Sequence, residues 1–270
     1  AGVEFFCPDS IREQVLEDGA RVLSLDSGAR IRARLLVAAD GADSHIRRAL
    51  GIRRDHWEYG QAGVVGVVAT EPPNPALAWQ RFMDGGTLAY LPLADGRSSI
   101  VWSRPQAEAQ RLLSLEEEAF LAELGEAAAG GPDHWPGEPI SCGPRAAFPL
   151  TMRLSERYAG RRAVLMGDAA HVMHPLAGQG VNMGLLDAAG LAELLVEARK
   201  SDKDIGDEGV LQRYDRWRRS EAEVMSRGVH ALRGLFLPEG LGLLRRVGLG
   251  LVSRSWTAWE AFVWRARGLN

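Results

Sequence analysis

Gly167-Asp168-Ala169-Ala170-His171-Val172-Met173-His174-Pro175-Leu176-Ala177-Gly178-Gln179-Gly180-Val181-Asn182-Met183-Gly184-Leu185-Leu186-Asp187-Ala188 decides the fold. The apolar run before it, residues 163–166, reads as a buried strand, and residues 185–198 after it carry apolar side chains at helical spacing. The stretch therefore predicts a strand end, a glycine-rich loop and a helix start. An acidic side chain at the carboxyl end of a strand can accept hydrogen bonds from sugar hydroxyls. Glycines let the backbone approach a flat ligand, and free N–H groups at a helix start favour an anionic or electron-rich edge. In physical terms this is a cofactor cradle.

A second element stands upstream. Asp40-Gly41-Ala42-Asp43-Ser44-His45-Ile46-Arg47 directly follows the apolar run 35–39. The two elements, in this order and with a sheet-rich stretch between them, resemble the single-component flavin monooxygenases, the aromatic hydroxylase group. Within that group the chain is similar to the ubiquinone-biosynthesis hydroxylases. The resemblance there runs through His174-Pro175-Leu176-Ala177-Gly178-Gln179-Gly180, through Gly206-Asp207-Glu208-Gly209-Val210-Leu211-Gln212-Arg213-Tyr214, and through Leu88-Ala89-Tyr90-Leu91-Pro92-Leu93 with Asp95-Gly96-Arg97 after it. It implies that Asp168 binds the ribityl chain of FAD and that the following loop lies along the isoalloxazine. The implied cofactor contacts are Gly167, Asp168, Pro175, Gly178, Gln179, Gly180, Val181 and Asn182, with Asp40, Gly41 and Arg47 from the upstream element. The implied activity is hydroxylation of an aromatic ring through a flavin hydroperoxide, with NAD(P)H as reductant and a polyprenylated phenol or related isoprenoid quinone precursor as substrate. No protein nucleophile is required, and no catalytic residue is assigned.

One departure stands against this pattern. No G-x-G-x-x-G follows a strand near the amino terminus, where it would hold a pyrophosphate on a helix N-terminus. The expected fold is mixed α/β (α+β): a partial Rossmann-like FAD-binding domain lacking its first βαβ unit, an antiparallel-sheet substrate domain, and C-terminal helices. The chain is accordingly read as an N-terminally truncated piece that binds FAD weakly or not at all and does not hydroxylate alone.

Composition narrows the alternatives. A chain of 270 residues with 46% apolar and 25% charged residues is an ordinary globular composition. A net charge of −3, with arginines scattered among acids, argues against nucleic acid. Two cysteines, Cys7 and Cys142, are too few for a disulfide framework or a cysteine-built metal site. His171 and His174 lack a further ligand set at zinc-like spacing, so no metal is expected. With no signal-like start the expected location is cytoplasmic, or peripheral to a membrane.

The pattern along the chain predicts four regions. Residues 1–57 form part of the FAD-binding domain, as a β-meander (strands at 3–6, 14–16, 21–25 and 31–39) with the Asp40 element and a helix at 44–50. Residues 58–148 form the substrate sheet, with strands at 59–70, 76–83, 87–93 and 98–102. Within it, residues 114–126 form a helix capped by Ser114, and 130–144 form a loop. Residues 149–200 return to the FAD-binding domain, and 201–270 are helical. The last part, residues 239–270, combines leucines at helical spacing, five arginines and Trp256, Trp259 and Trp264. That composition suits either an ordinary docked helix or one that meets a membrane surface or a ubiquinone-biosynthesis assembly.

Bland readings accompany each candidate. Most aspartates at strand ends are caps or turn residues, so Asp168 is a FAD ligand or a turn aspartate, and Asp40 is a cofactor neighbour or the cap of the helix after it. His171 is read as a packed, hydrogen-bonded residue that shapes the loop, with acid–base catalysis as the rival. For the protein, the rivals are a hydroxylase of a small soluble aromatic or polyketide, and a non-catalytic assembly module.

Overall fold

The computed structural model describes residues 2–83, 85–129, 137–173 and 180–236, with 229–236 described by backbone alone. Two compact units emerge. Among the described residues the first comprises 2–56 and 152–227 and the second 57–151 with 228–236, so the chain passes between the units within two long strands. Antiparallel sheets, a parallel strand pair and helices give the mixed α/β class expected.

In the first unit β1 (Ile11–Glu17), β2 (Ala20–Leu25) and β3 (Arg30–Ala33) form an antiparallel meander. The β1–β2 turn is Asp18-Gly19, with φ +43° and +69°, the two left-handed residues that a tight hairpin of matching twist requires. β4 (Leu36–Ala38) lies parallel to β12 (Ala163–Leu165), which also pairs antiparallel with β11 (Ala159–Gly160). All three residues of β12 are fully buried, the continuous apolar run that parallel strands require. α4 (Gly180–Lys200) and α5 (Glu208–Phe236) complete this unit's core, with Met183, Leu191 and Leu194 of α4 and Leu211, Tyr214 and Ala222 of α5 buried against the strands. The Tyr214 hydroxyl donates to the carbonyl of Leu165 at 3.0 Å, tying α5 to the end of β12.

In the second unit β5 (Arg54–Glu71), β8 (Ser98–Pro105), β7 (Gly86–Pro92) and β6 (Trp79–Met83) run in that spatial order, with β9 (Glu138–Cys142) and β10 (Ala146–Ser155) next to β5. One face is apolar. Val64, Leu88, Tyr90, Ile100 and Trp102 are buried on it with Leu112 of α2 (Gln106–Ser114) and Phe120 and Leu124 of α3 (Glu117–Ala128). Arg81 of β6 donates to the carbonyl of Ala127 at 2.9 Å, placing a cation at the carboxyl end of α3, where the helix dipole favours it.

Local structure differs from the sequence reading at four places. Residues 3–6 are exposed and form no strand, having no neighbour that hides their apolar side chains. The run 31–39 is two strands, β3 and β4, in different sheets. The helix predicted at 114–126 begins at Glu117, and Ser114 instead ends α2, donating its Oγ to the carbonyl of Arg111 at 2.7 Å. Leu115 is extended, with ψ 144°, and its backbone separates the two helices, so Ser114 lies too early to reach the first-turn amides of α3. Within the loop predicted at 130–144, residues 138–142 form β9 on the edge of β5. Residues 239–270, the predicted basic and tryptophan-rich tail, lie outside the described residues.

Candidate functional site

The two sequence elements meet because their strands are neighbours. β4 and β12 are parallel, with Ala38 opposite Leu165, and the Met166 N–H donates to the Ala38 carbonyl at 3.0 Å. Two residues beyond these partners stand Asp40 on one strand and Gly167 on the other. Both elements thus leave the carboxyl edge of one parallel pair, the side on which open α/β sheets bind ligands.

On the β12 side the chain turns sharply. Gly167, with φ +57°, opens a single 3₁₀ turn, Gly167–Ala169, closed by the Ala170 N–H on the Gly167 carbonyl at 2.9 Å. Glycine adopts such a φ without the steric cost that a Cβ brings. The first turns of α4 pack directly on it: a Cβ on Gly184 would stand 3.3 Å from the Gly167 Cα. Asp168 is exposed, and its carboxylate makes no hydrogen bond or ion pair with any described residue. Gly180 begins α4, with Val181 75% exposed and Asn182 exposed beside it. Pro175, Gly178 and Gln179, together with His174, lie outside the described residues.

On the β4 side the geometry favours the capping role for one carboxylate oxygen. Asp40 is exposed, and its Oδ2 accepts the Ile46 N–H at 3.1 Å, at the start of α1 (His45–Ala49). Ser44 Oγ accepts the Arg47 N–H at 2.9 Å. Gly41, φ +81°, turns the chain, and a Cβ there would meet nothing within 4 Å. Arg47 points inward. It is 6% exposed, donates Nη1 to the Ile52 carbonyl at 2.9 Å, and leaves Nε unpartnered among the described residues. Burial, with Arg54, Arg48 and Arg153 nearby, holds its guanidinium below the usual range. Arg54 and Arg153 both reach Asp43, at 3.3 and 3.0 Å.

These residues fit a polyhydroxylated, anionic cofactor such as FAD. An exposed carboxylate without a partner among the described residues can accept from hydroxyls, and among those residues the space above Gly41 and Gly180 is open, which leaves the backbone approachable. Asp168 with Gly167, Gly180, Val181 and Asn182 would hold the ligand on one side, and the Asp40–Gly41 turn on the other.

Sequence reasoning passed over one cluster. Beneath the 3₁₀ turn, Asp187 of α4 is fully buried, with Arg218 of α5 at 3% and His171 of β13 (His171–Val172) at 1% exposure. Asp187 Oδ1 accepts from Arg218 Nε at 2.8 Å, and Oδ2 from His171 Nε2 at 2.7 Å and from the Gly167 N–H at 2.9 Å. Burial alone would raise the Asp187 carboxyl. The donors from His171, Arg218 and Gly167 outweigh it and hold the carboxyl below its ordinary range. His171 also packs on Tyr158, ring centroids 5.7 Å apart, so its place is in the core, as a packed and hydrogen-bonded residue. A signal was present in the sequence: Asp187 falls on the same helical stripe as Met183, Leu191 and Leu194, and Arg218 on that of Leu211, Tyr214 and Ala222.

Comparison with known proteins agrees with this geometry. The family described as FAD binding domain matches residues 11–228. A ubiquinone hydroxylase, UbiL, of Rhodospirillum rubrum is 39% identical over 247 residues, covering 91% of this chain and 57% of that protein. The 3-demethoxyubiquinol 3-hydroxylase of Escherichia coli is 34% identical over 256 residues, covering 92% and 63%. The chain therefore spans roughly three-fifths of the length of these relatives. Among solved structures, the p-nitrophenol 4-monooxygenase PnpA of Pseudomonas putida superposes with a TM-score of 0.74 at 20% identity, covering 97% of this chain and 66% of that one, a likeness of fold.

Proposed function

The chain belongs to the FAD-binding domain family, and from that premise we propose that it is the flavin-holding part of a monooxygenase that hydroxylates the aromatic ring of an isoprenoid quinone precursor, with NAD(P)H as reductant. The observation that carries the reading is the convergence of the Asp40 and Gly167-Asp168 turns and the start of α4 at the carboxyl edge of one parallel strand pair. The names of the two bacterial relatives support the quinone-precursor substrate. When bound, FAD supplies the redox and oxygen chemistry, and the protein supplies binding, orientation and a site that excludes water.

In this reading Asp168 accepts from the ribityl hydroxyls, and the backbone of α4 from Gly180 to Asn182 would lie against the ring. The expected contacts Pro175, Gly178 and Gln179 lie outside the described residues. Asp40 and Gly41 line the opposite turn, while Arg47 is held inward on the Ile52 carbonyl. Among the described residues no helix is long and apolar enough to cross a membrane. We place the protein in the cytoplasm or at its membrane surface, with residues 239–270 as the segment that meets the lipid.

Two measurements test this. Titration with FAD, followed by quenching of flavin fluorescence, should show saturable binding. Cells that lack the gene should accumulate a quinone precursor short of one ring hydroxyl in their lipid extract. Binding without the lipid phenotype would shift the substrate to a soluble aromatic, and loss of both would remove the enzymatic reading.

A further inference from the structure

Asp187 is a charged group in a place where charge is costly. Taking a carboxylate out of water is tenable only when its oxygens are fully satisfied, and here three donors from three elements meet it: Arg218 Nε from α5, His171 Nε2 from β13 and the Gly167 N–H from the turn. The first two join side chains and would suffice to lock α4 to its neighbours. The third is a backbone amide, and it belongs to the one left-handed residue immediately before Asp168.

That link gives Asp187 a directional task. A residue at φ +57° fixes where the next side chain leaves the backbone, and the Gly167 amide is pinned at its nitrogen by a carboxylate that cannot itself move, being held at its other oxygen by Arg218. We propose that Asp187 is a positioning residue for the cofactor: it sets the Gly167 peptide and so aims the exposed Asp168 carboxylate, with Arg218 and His171 making a buried anion tenable there. This rests on the reading of Asp168 as a flavin ligand. Asp187→Asn keeps the shape but puts an acceptor oxygen on one side and an NH₂ donor on the other: with its oxygen towards Arg218 the Gly167 N–H faces a donor, and with its oxygen towards Gly167 and His171 the anchoring bond from Arg218 is lost, so in either orientation the turn loses its fixed hold.

The test has two arms. The first uses no flavin: hydrogen exchange of individual amides in the unmodified chain, in Asp187→Asn and in the milder Arg218→Lys. We expect faster exchange at residues 167–170 in both variants, while residues 163–165 of β12 keep their protection. Unchanged exchange at 167–170, or loss of protection throughout β12 and α4 together, overturns the proposal, since Asp187 would then be idle or mere core. Should Asp187→Asn fail to fold, Arg218→Lys decides alone. The second arm titrates FAD into the same proteins and into Asp168→Ala. We expect Asp187→Asn to weaken binding about tenfold or more in protein that remains folded. Weakening by Asp168→Ala but not by Asp187→Asn removes the positioning role and spares the flavin reading. Equal affinity in the unmodified chain and Asp168→Ala removes that reading, and the positioning role falls with it.

Discussion

At the scale of single residues, the site is a contrast between two aspartates of one motif. Asp168 is exposed and without a partner among the described residues, whereas Asp187 is buried and fully engaged. Asp168→Ala should therefore leave the fold standing and cost only ligand. A hydrogen bond to a charged group contributes about 1.5–3 kcal/mol, so FAD affinity should drop about 10- to 150-fold with an unchanged melting temperature, read by titration and calorimetry. Asp187 should instead show itself in pH dependence. Its folded-state carboxyl lies below the ordinary value, so the unfolded chain binds the proton first as pH falls. Its stabilisation is fully present above about pH 4 and is lost as pH drops through the lower folded-state value. Urea midpoints between pH 7 and pH 3 should fall more steeply for the unmodified chain than for Asp187→Asn, which starts lower and runs flatter. Equal slopes would show that Asp187 does not titrate differently on folding. Asp168 could be singled out from sequence because its neighbours form a long motif. The partnership of Asp187 could not, because His171 and Arg218 lie 16 and 31 residues away and only helix packing brings them in.

At the scale of elements, two glycines on helices answer one substitution differently. A Cβ on Gly190 of α4 would stand 2.9 Å from Trp217 Cζ3 and 3.2 Å from its Cη2, with Cδ of Arg218 on the same helix α5 at 3.4 Å. Gly228, further along α5, has nothing within 4 Å of the same position. The same substitution should therefore change sign. Gly228→Ala should stabilise by up to ~1 kcal/mol through helix propensity alone, while Gly190→Ala should destabilise, the ~1–3 kcal/mol of overpacking exceeding that gain. Thermal melts of the two variants check this, and a rise for both would mean that α4 and α5 separate easily. Elements with strong periodicity, such as the cores of α4 and α5 and the strands β7 and β8, were legible in the sequence to within a few residues. Misreadings fell where local backbone or a neighbouring edge decides. Ser114 looks like a cap because it is a capping residue type with three glutamates close behind it, yet two extended residues, Leu115 and Glu116, move the helix start to Glu117. β9 hides among glycines and prolines because its place is granted by the edge of β5 and not by its own composition.

At the scale of the whole chain, the first unit is assembled from two segments with the second unit inserted between them. The meander and β4 come early, whereas β12, α4 and α5 come late, and their contacts are correspondingly distant: Arg21 of β2 donates Nε to the Arg161 carbonyl at 2.9 Å across 140 residues of sequence. In the second unit, β6 pairs with β7 and β7 with β8, each with its immediate successor. Because long loops must close before distant contacts are rewarded, pulse-labelled hydrogen exchange during refolding should protect β7 and β8 before β4 and β12. Simultaneous protection would indicate that the insertion folds only on a finished first unit.

The split origin of the β4–β12 pair also bears on how the protein is made. On the ribosome, at roughly 5–20 residues per second, about 6–25 s pass between the emergence of Leu36 and that of Ala163, its partner on β12. Throughout that interval Leu36 and Ala38, buried in the finished molecule, lack their β12 partners. The newborn chain thus carries one half of a strand pair while the other is still being translated, and the two halves of the rim of the ligand cradle meet late.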